Sequence, residues 1–315
     1  MPDFIRRYGT AMACVLLFAI MGLTADNFLN PYNLLSIFKH VSFLTIISLG
    51  FTLALASGEL DLSFAHIASF ASVCTASLLF GGYPIVVAVA TGLSCGALLG
   101  VANGLIVTQL KIPSLIATLA VSTIVNGLSF LVTGGVAFVG RLDKAFLFLG
   151  RGSLFTIPVM ILWMMIAVVA CLYFLKQTRT GIHLVCTGEA EEPSRLAGVA
   201  TRRMKVLGLG LSGLLAAITG ILLTSSLSSA SPTIAGEYLM TGIAAVLLGM
   251  TTIEPGKPNV IGTLIGALII GALRNGLTLL GAQYYVQDIV LGIIIIASVS
   301  LSATRFKKVV FSAPR

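Results

Sequence analysis

Two stretches without a formal charge, residues 41–56 and 67–110, set the terms for what this chain can become. A soluble domain commits about a quarter of its residues to charge. Here only 10% are charged and 57% are hydrophobic, with a mean hydropathy of +1.05. Long uncharged runs on that background place the chain in a bilayer. A helical span takes about 20 apolar residues, so 315 residues hold around ten spans joined by short connections. That is too many for a four-helix bundle, and no stretch is left over for a separate soluble domain. The expected fold class is all-α, a polytopic membrane protein of about ten transmembrane helices forming one domain over residues 1–315.

The apolar segments fall at 9–25, 41–57, 66–80, 83–107, 113–133, 156–176, 204–224, 237–250, 260–280 and 286–303. The first follows Arg6 and Arg7 but lacks a small-x-small cleavage site, so it is read as an uncleaved span. Residues 26–39 read as a polar loop leading into a short amphipathic piece. Orientation follows from the basic residues. With the N-terminus inside, the inner connections carry Arg6, Arg7, Lys111, Lys176, Arg179, Arg195, Arg202, Arg203, Lys205, Lys257, Arg305, Lys307, Lys308 and Arg315, fourteen of the nineteen. The outer ones carry Lys39, Arg141, Lys144 and Arg151, while Arg274 lies within a span. Cytoplasmic connections collect Lys and Arg, which predicts a multi-pass protein with both termini in the cytoplasm, and the absence of an Asn-x-Ser/Thr sequon, a CxxC pair and a zinc pattern favours a bacterial cytoplasmic (inner) membrane. The net charge of +8 is then a consequence of topology, and no nucleic-acid partner is needed to explain it.

An internal echo accompanies the count of ten. Residues 96–105, GALLGVANGL, resemble 266–277, GALIIGALRNGL, and Gly58-Glu59-Leu60 has a weaker counterpart in Gly236-Glu237-Tyr238. Both echoes lie five spans apart, so the matching elements would run in opposite directions. The expectation is two inverted five-helix repeats, approximately 1–135 and 156–303, with solute handled where they meet. Chance likeness between Gly- and Leu-rich helices is the alternative. Glycines recurring every fourth position, Gly92, Gly96 and Gly100, and again Gly262 and Gly266, read as ridges that let helix backbones approach in lipid.

The polar residues near and within these runs are few enough to weigh singly. Residues 57–64, SGELDLSF, set Glu59 and Asp61 between long apolar segments. A carboxylate at membrane depth survives where it is paired, wet or used; the alternative is a solvated turn at the membrane surface. Asn103, Asn126, Asn275, Ser122 and Thr123, with Glu59, Asp61 and Arg274, are candidates for a translocation path, against the alternative of helix-to-helix hydrogen bonds. The longest polar inner segment, 177–203, brings acids around a proline and then basic residues, which suits a helix lying on the cytoplasmic surface. Its sharper reading is a coupling element for a separate ATPase, through Glu189, Glu191, Glu192, Arg195, Leu196 and Gly198; its plainer one is a basic loop that holds topology. The chain has no GxxxxGK[ST] loop of its own. The five cysteines form no CxxC pair and the three histidines are scattered, so neither a metal site nor a cofactor is expected.

The run Gly-Glu-x-Asp-Leu-Ser at 58–63 closely resembles a motif in the permease subunits of ribose-type ABC importers. The likeness runs from about residue 40 to 303 and takes in 111–119, KIPSLIATL, then 195–199, RLAGV, then 211–217, LSGLLAA, then 243–246, IAAV, and finally 275–277, NGL. The resemblance implies a dimer of ten-span permeases, two cytoplasmic ABC ATPase subunits and an extracytoplasmic sugar-binding protein that delivers a monosaccharide such as ribose. The outer loop 134–155 and residues 225–236 are the expected receiving surfaces for the delivery protein. Two departures stand out: the family's Gly-Asn-x-x-Ala-Ala is replaced by Glu189-Ala190-Glu191-Glu192-Pro193-Ser194, and its glycine-rich turn after the eighth span is MTTIEPGKPN at 250–259. A competing class is an ion-coupled secondary transporter with Glu59, Asp61, Glu237, Asp288 and Arg274 as a relay. A membrane enzyme ranks last, because no nucleophile, metal set or paired acid and base is clustered and no catalytic residue is expected.

Overall fold

Asn30 and Pro31 start the first long buried helix: the Asn30 side chain accepts from Tyr32 N at 3.0 Å, and proline occupies the opening turn, where its missing N–H costs nothing. The computed structural model describes residues 2–311, with side chains for 8–298 and 300. In chain order the helices are α1 (Pro2–Thr24), α2 (Pro31–Ala56), α3 (Phe64–Phe80), α4 (Ile85–Gln109), α5 (Ser114–Thr133), α6 (Lys144–Arg151), α7 (Val159–Gln177), α8 (Arg179–Glu189), α9 (Glu191–Leu196), α10 (Thr201–Leu227), α11 (Tyr238–Gly249), α12 (Val260–Leu279) and α13 (Tyr284–Phe311). Prolines 84, 113 and 158 stand immediately before α4, α5 and α7. Asp143, Thr178 and Asn259 cap α6, α8 and α12 with side-chain acceptors.

Six of these helices, α2, α4, α5, α7, α10 and α12, are long and apolar enough to cross a membrane. Four shorter apolar helices lie in α1, α3, α11 and α13. At about 1.5 Å per residue the twelve residues of α11 rise only about 18 Å, well short of a hydrocarbon core of about 30 Å.

Contacts divide the helix termini between two ends of the molecule. At the Glu59 end, the α2–α3 turn meets the start of α5 through Leu60 N and Ser114 Oγ, 3.0 Å, and the start of α10 through Glu59 and Lys205. At the Glu237 end, the start of α2 meets the end of α12 through Asn33 and Asn275, while Gly150 N at the end of α6 donates to Ser225 Oγ at 2.8 Å. Successive apolar helices alternate between these ends. In the middle, α2 and α10 are the most buried of the six long helices and touch each other; α10 also packs on α3 and α4, as α2 does on α11 and α12.

Backbone proximity explains the glycine ridges. A Cβ on Gly96 would run into the Gly213 carbonyl, and one on Gly266 into the Ala245 carbonyl, so each ridge lies flush against a neighbouring helix. Small residues at such crossings replace the hydrophobic drive that lipid does not supply. Hydroxyl pairs add to the seams, with Thr52 to Thr263 at 2.7 Å and Ser72 to Thr224 at 2.6 Å.

Three local expectations need correction. Helix α2 begins at Pro31, where a polar loop was expected through 39, because the Asn30 cap outweighs the polarity of Asn33, Ser36 and Lys39. Segment 134–155 is not open loop: it holds α6, and its residues 138–139 pair antiparallel with 229–230, joining the two expected receiving surfaces. The inner segment 177–203 forms two helices, α8 and α9, instead of one.

Candidate functional site

The centre of the Glu59 end is the turn between α2 and α3. Helix α2 stops at Ala56, Ser57 Oγ bonds back to Ala54 O at 2.7 Å, and Gly58 takes φ +86°, a conformation that side-chain-bearing residues rarely adopt. The non-helical residues that follow have no ladder of their own, so neighbouring side chains satisfy them. Ser114 and Thr118 of α5 accept from Leu60 N and Leu62 N, and Thr118 Oγ1 also lies 3.2 Å from Leu60 O.

Asp61 is wholly buried. Its Oδ1 accepts from Ser63 N at 2.8 Å and Ser63 Oγ at 2.6 Å, and its Oδ2 accepts from Ser212 Oγ of α10 at 2.7 Å. Asn103 of α4 donates to Ser63 Oγ at 2.7 Å, which brings Asp61 and Asn103, both path candidates, into one network. The carboxylate is thus surrounded by donors that replace water. Asn103 Oδ1 remains buried without a protein partner among the described residues.

Glu59 faces a different neighbour. Its Oε1 lies 2.7 Å from Lys205 Nζ, which is also 2.9 Å from Glu191 Oε2, and only 8% of the Glu59 side chain and 12% of the Lys205 side chain are exposed. One ammonium, on the fifth residue of α10, therefore bridges that helix, the α2–α3 turn and the surface helix α9. Gly188 of α8 packs directly on Gly58. Glu189 pairs with Lys257 in the α11–α12 connection, and Lys176 at the end of α7 lies 3.7 Å from Glu254 in the same connection. A cavity of about 600 Å³ separates α7 and α8 from that connection.

The coupling candidates therefore split into two groups. Glu189 and Glu191 turn inward onto lysines, whereas Glu192, paired with Arg195 at 3.1 Å, and Leu196, 82% exposed, face away from the bundle. Gly198, at φ +85°, lets the chain turn toward α10.

Other candidates lie apart. Ser122 bonds His66 Nδ1 at 2.7 Å between α5 and α3; Asn126, farther along α5, has a buried Oδ1 without a protein partner among the described residues; Thr123 is exposed and bonds back to Leu119 O. Asn275 sits at the Glu237 end, where Arg274 and Glu237 pair at 3.2 Å and Asp288 is exposed on α13. Glu59 and Asp61 are thus at one end and Glu237 and Asp288 at the other, so these acids form no continuous relay. Sequence reasoning missed Lys205, Ser212 and Ser63 as partners. Lys205 was visible only as one basic residue among several, and Ser212 only as part of a family-like motif.

Helical segments alternating between two ends, six of them fit to cross a bilayer, with most buried polar side chains bonded within the protein, define a multi-pass membrane protein of the permease class. The chain belongs to the family described as branched-chain amino acid transport system / permease component, whose model matches residues 33–299. It is 36% identical over 297 residues to the ribose import permease protein RbsC of Bacillus subtilis (strain 168), covering 94% of this chain and 92% of that one. Over 291 residues it is 35% identical to the ribose import permease protein RbsC of Escherichia coli (strain K12), 91% of each chain. It is 34% identical over 297 residues to the L-arabinose transport system permease protein AraH of the same strain, 93% of this chain and 89% of that one. No solved structure matches it.

Proposed function

We propose that this chain is the transmembrane subunit of an ATP-driven importer that carries a monosaccharide such as ribose across a bacterial cytoplasmic membrane. The observation that carries this reading is likeness to ribose and arabinose permeases over more than nine-tenths of the chain. The energy source is a pair of cytoplasmic ABC ATPases, the solute arrives on an extracytoplasmic sugar-binding protein, and a second permease copy or homologue completes the pore. The chain itself is a permease and not an enzyme.

In this reading residues 1–315 form one domain with ten crossings, the four short apolar helices included. Its inverted halves, approximately 1–135 and 156–303, are supported by the reciprocal packing in which α10 covers α3 and α4 while α2 covers α11 and α12. The Glu59 end faces the cytoplasm. It holds Lys111, Lys176, Arg179, Arg195, Arg202, Arg203, Lys205 and Lys257, against Lys39, Arg141, Lys144, Arg151 and Arg274 toward the other end. The side chains of Arg6, Arg7, Arg305, Lys307 and Lys308, and residue Arg315, lie outside the described residues.

Segment 177–203 is the coupling element. Glu192, Arg195 and Leu196 meet the ATPase, and Glu189 and Glu191 transmit its movement, one to the α11–α12 connection through Lys257 and one to the α2–α3 turn through Lys205. Asn103, Ser122, Thr123, Asn126 and Asn275 belong to the path, with Glu59 and Asp61 setting the turn at its inner mouth. The test is reconstitution into liposomes with and without the ATPase and binding protein. ATP-dependent ribose uptake only in the full assembly is the expected result. Uptake by the chain alone, or collapse of uptake by a protonophore with indifference to ATPase loss, overturns it.

A further inference from the structure

At the Glu237 end a cavity of about 310 Å³ opens between the start of α2, the start of α11, the end of α12 and the start of α13. Both halves of the chain line it. Five of its polar lining residues, Ser36, His40, Glu237, Arg274 and Gln287, are set among aliphatic side chains of α2 and α12, while Thr241 and Thr278, also in the lining, bond back to their own helices. Most polar groups elsewhere in the bundle are committed. Asn275, for example, also borders this cavity, but it exchanges two amide bonds with Asn33, both at 2.9 Å.

The five lining groups differ in being largely unspent. The Arg274 to Glu237 contact at 3.2 Å engages one guanidinium nitrogen and one carboxylate oxygen. Among the described residues, four of the five guanidinium N–H groups and the second carboxylate oxygen are left over. Gln287 Nε2 donates to Thr278 Oγ1 at 3.1 Å, and among the described residues its amide oxygen has no partner. Among the described residues, neither Ser36 Oγ nor the His40 ring has a protein hydrogen-bond partner.

We infer that this cavity is the first binding subsite for the solute on the permease, shaped for a single uncharged polyhydroxyl ring. The inference rests on the proposed import function, which puts this end outside. A sugar ring presents neighbouring hydroxyls that each donate and accept. Glu237 supplies acceptors, Arg274 a rigid fork of donors, and Gln287 and Ser36 complete a ring of partners. Ligand sites run upward from about 300 Å³, so a cavity of about 310 Å³ lies at the small end of that range and has room for one sugar ring. The paired carboxylate and guanidinium leave the lining without net charge, which favours a neutral solute. Both side chains are partly exposed, so each contact to the sugar replaces a contact to water and binding stays weak enough for release.

The test uses the full chain in nanodiscs with its cysteines replaced and Ser36→Cys introduced. A water-soluble methanethiosulfonate reagent reports access, with Tyr83→Cys at the same end as the control. Ribose or arabinose at tens of millimolar is expected to slow labelling at position 36 severalfold and leave position 83 unchanged, and Glu237→Gln is expected to abolish that protection. Absence of protection by either pentose, or protection by leucine alone, overturns the inference. A second arm reconstitutes the complete importer. Glu237→Gln with Gln287→Ala is expected to lower ribose uptake about tenfold while ATP hydrolysis and assembly persist. The exchange Glu237→Arg with Arg274→Glu, which rebuilds the ion pair, is expected to leave uptake low. Wild-type uptake in the exchange shows the pair to be only a strut and sinks the subsite with import intact, whereas a wild-type assembly that imports no pentose sinks the import reading itself.

Discussion

Two turns begin alike, Gly58-Glu59-Leu60 and Gly236-Glu237-Tyr238, and each delivers the chain to a short apolar helix, α3 or α11. Their surroundings differ. At the first, Gly58 has a positive φ, its backbone lies against Gly188, and Glu59 is held by a nearly buried ammonium that also grips α9. At the second, Gly236 lacks the positive φ, and Glu237 reaches a half-exposed Arg274 beside an open cavity. Asp61, which ties the first turn to α10, has Leu239 as its counterpart. Similar residues thus make a joint in one place and a mouth in the other, and what separates them is the charge and backbone that other helices bring.

The comparison can be broken most forcefully at Asp61. Asp61→Ala strands the hydroxyls of Ser63 and Ser212 in a dry site, with an expected loss of about 3 kcal/mol, while Leu239→Ala at the partly buried counterpart loses about 1. Thermal midpoints of monodisperse protein in detergent would check this, and equal losses would contradict it. Next comes Lys205→Met, which leaves Glu59 without its cation. A loss of about 3 kcal/mol is expected, the lower end for a broken buried pair, because Glu191, the other carboxylate on this ammonium, is half-exposed and takes up water in its place. Arg274→Met at the other end should lose less than about 1, and comparable urea titrations of the two variants would decide.

A smaller contrast lies in the glycines. Gly58→Ala forces an alanine into the left-handed region against Gly188 and is expected to lower stability by about 1–2 kcal/mol. Gly236→Ala should stay within about 0.5, so a larger fall in its thermal midpoint would blur the distinction. Smallest of all is the response to salt. At about 1 M the screening length is about 3 Å, so the deficit of Arg274→Met should vanish there, whereas that of Lys205→Met should persist because water and ions barely reach the pair.

Much of the helix map was legible because hydropathy is a local property. The segment expected at 113–133 is α5 (Ser114–Thr133), and that expected at 260–280 is α12 (Val260–Leu279). Errors arose where a cap competed with polarity. Asn30 and Pro31 start α2 ahead of a polar stretch, and Asp143 starts α6 inside what reads as loop. The acidic pair Glu59 and Asp61 stood out as costly residues at membrane depth, but nothing local indicated which group would satisfy which acid.

The sequence by itself determined that the chain is a bundle of apolar helices in a bilayer, because a residue's aversion to water and the capping power of Asn, Asp, Thr and Pro act within a turn or two of the chain. Only the tertiary structure decided that Ser212, 151 residues away, would bond Asp61, and that Lys205 would bridge Glu59 and Glu191. The physical reason is the solvent. Where lipid replaces water, every carboxylate and turn amide needs a protein partner, and which partner comes within reach depends on how the glycine-lined helices settle against one another.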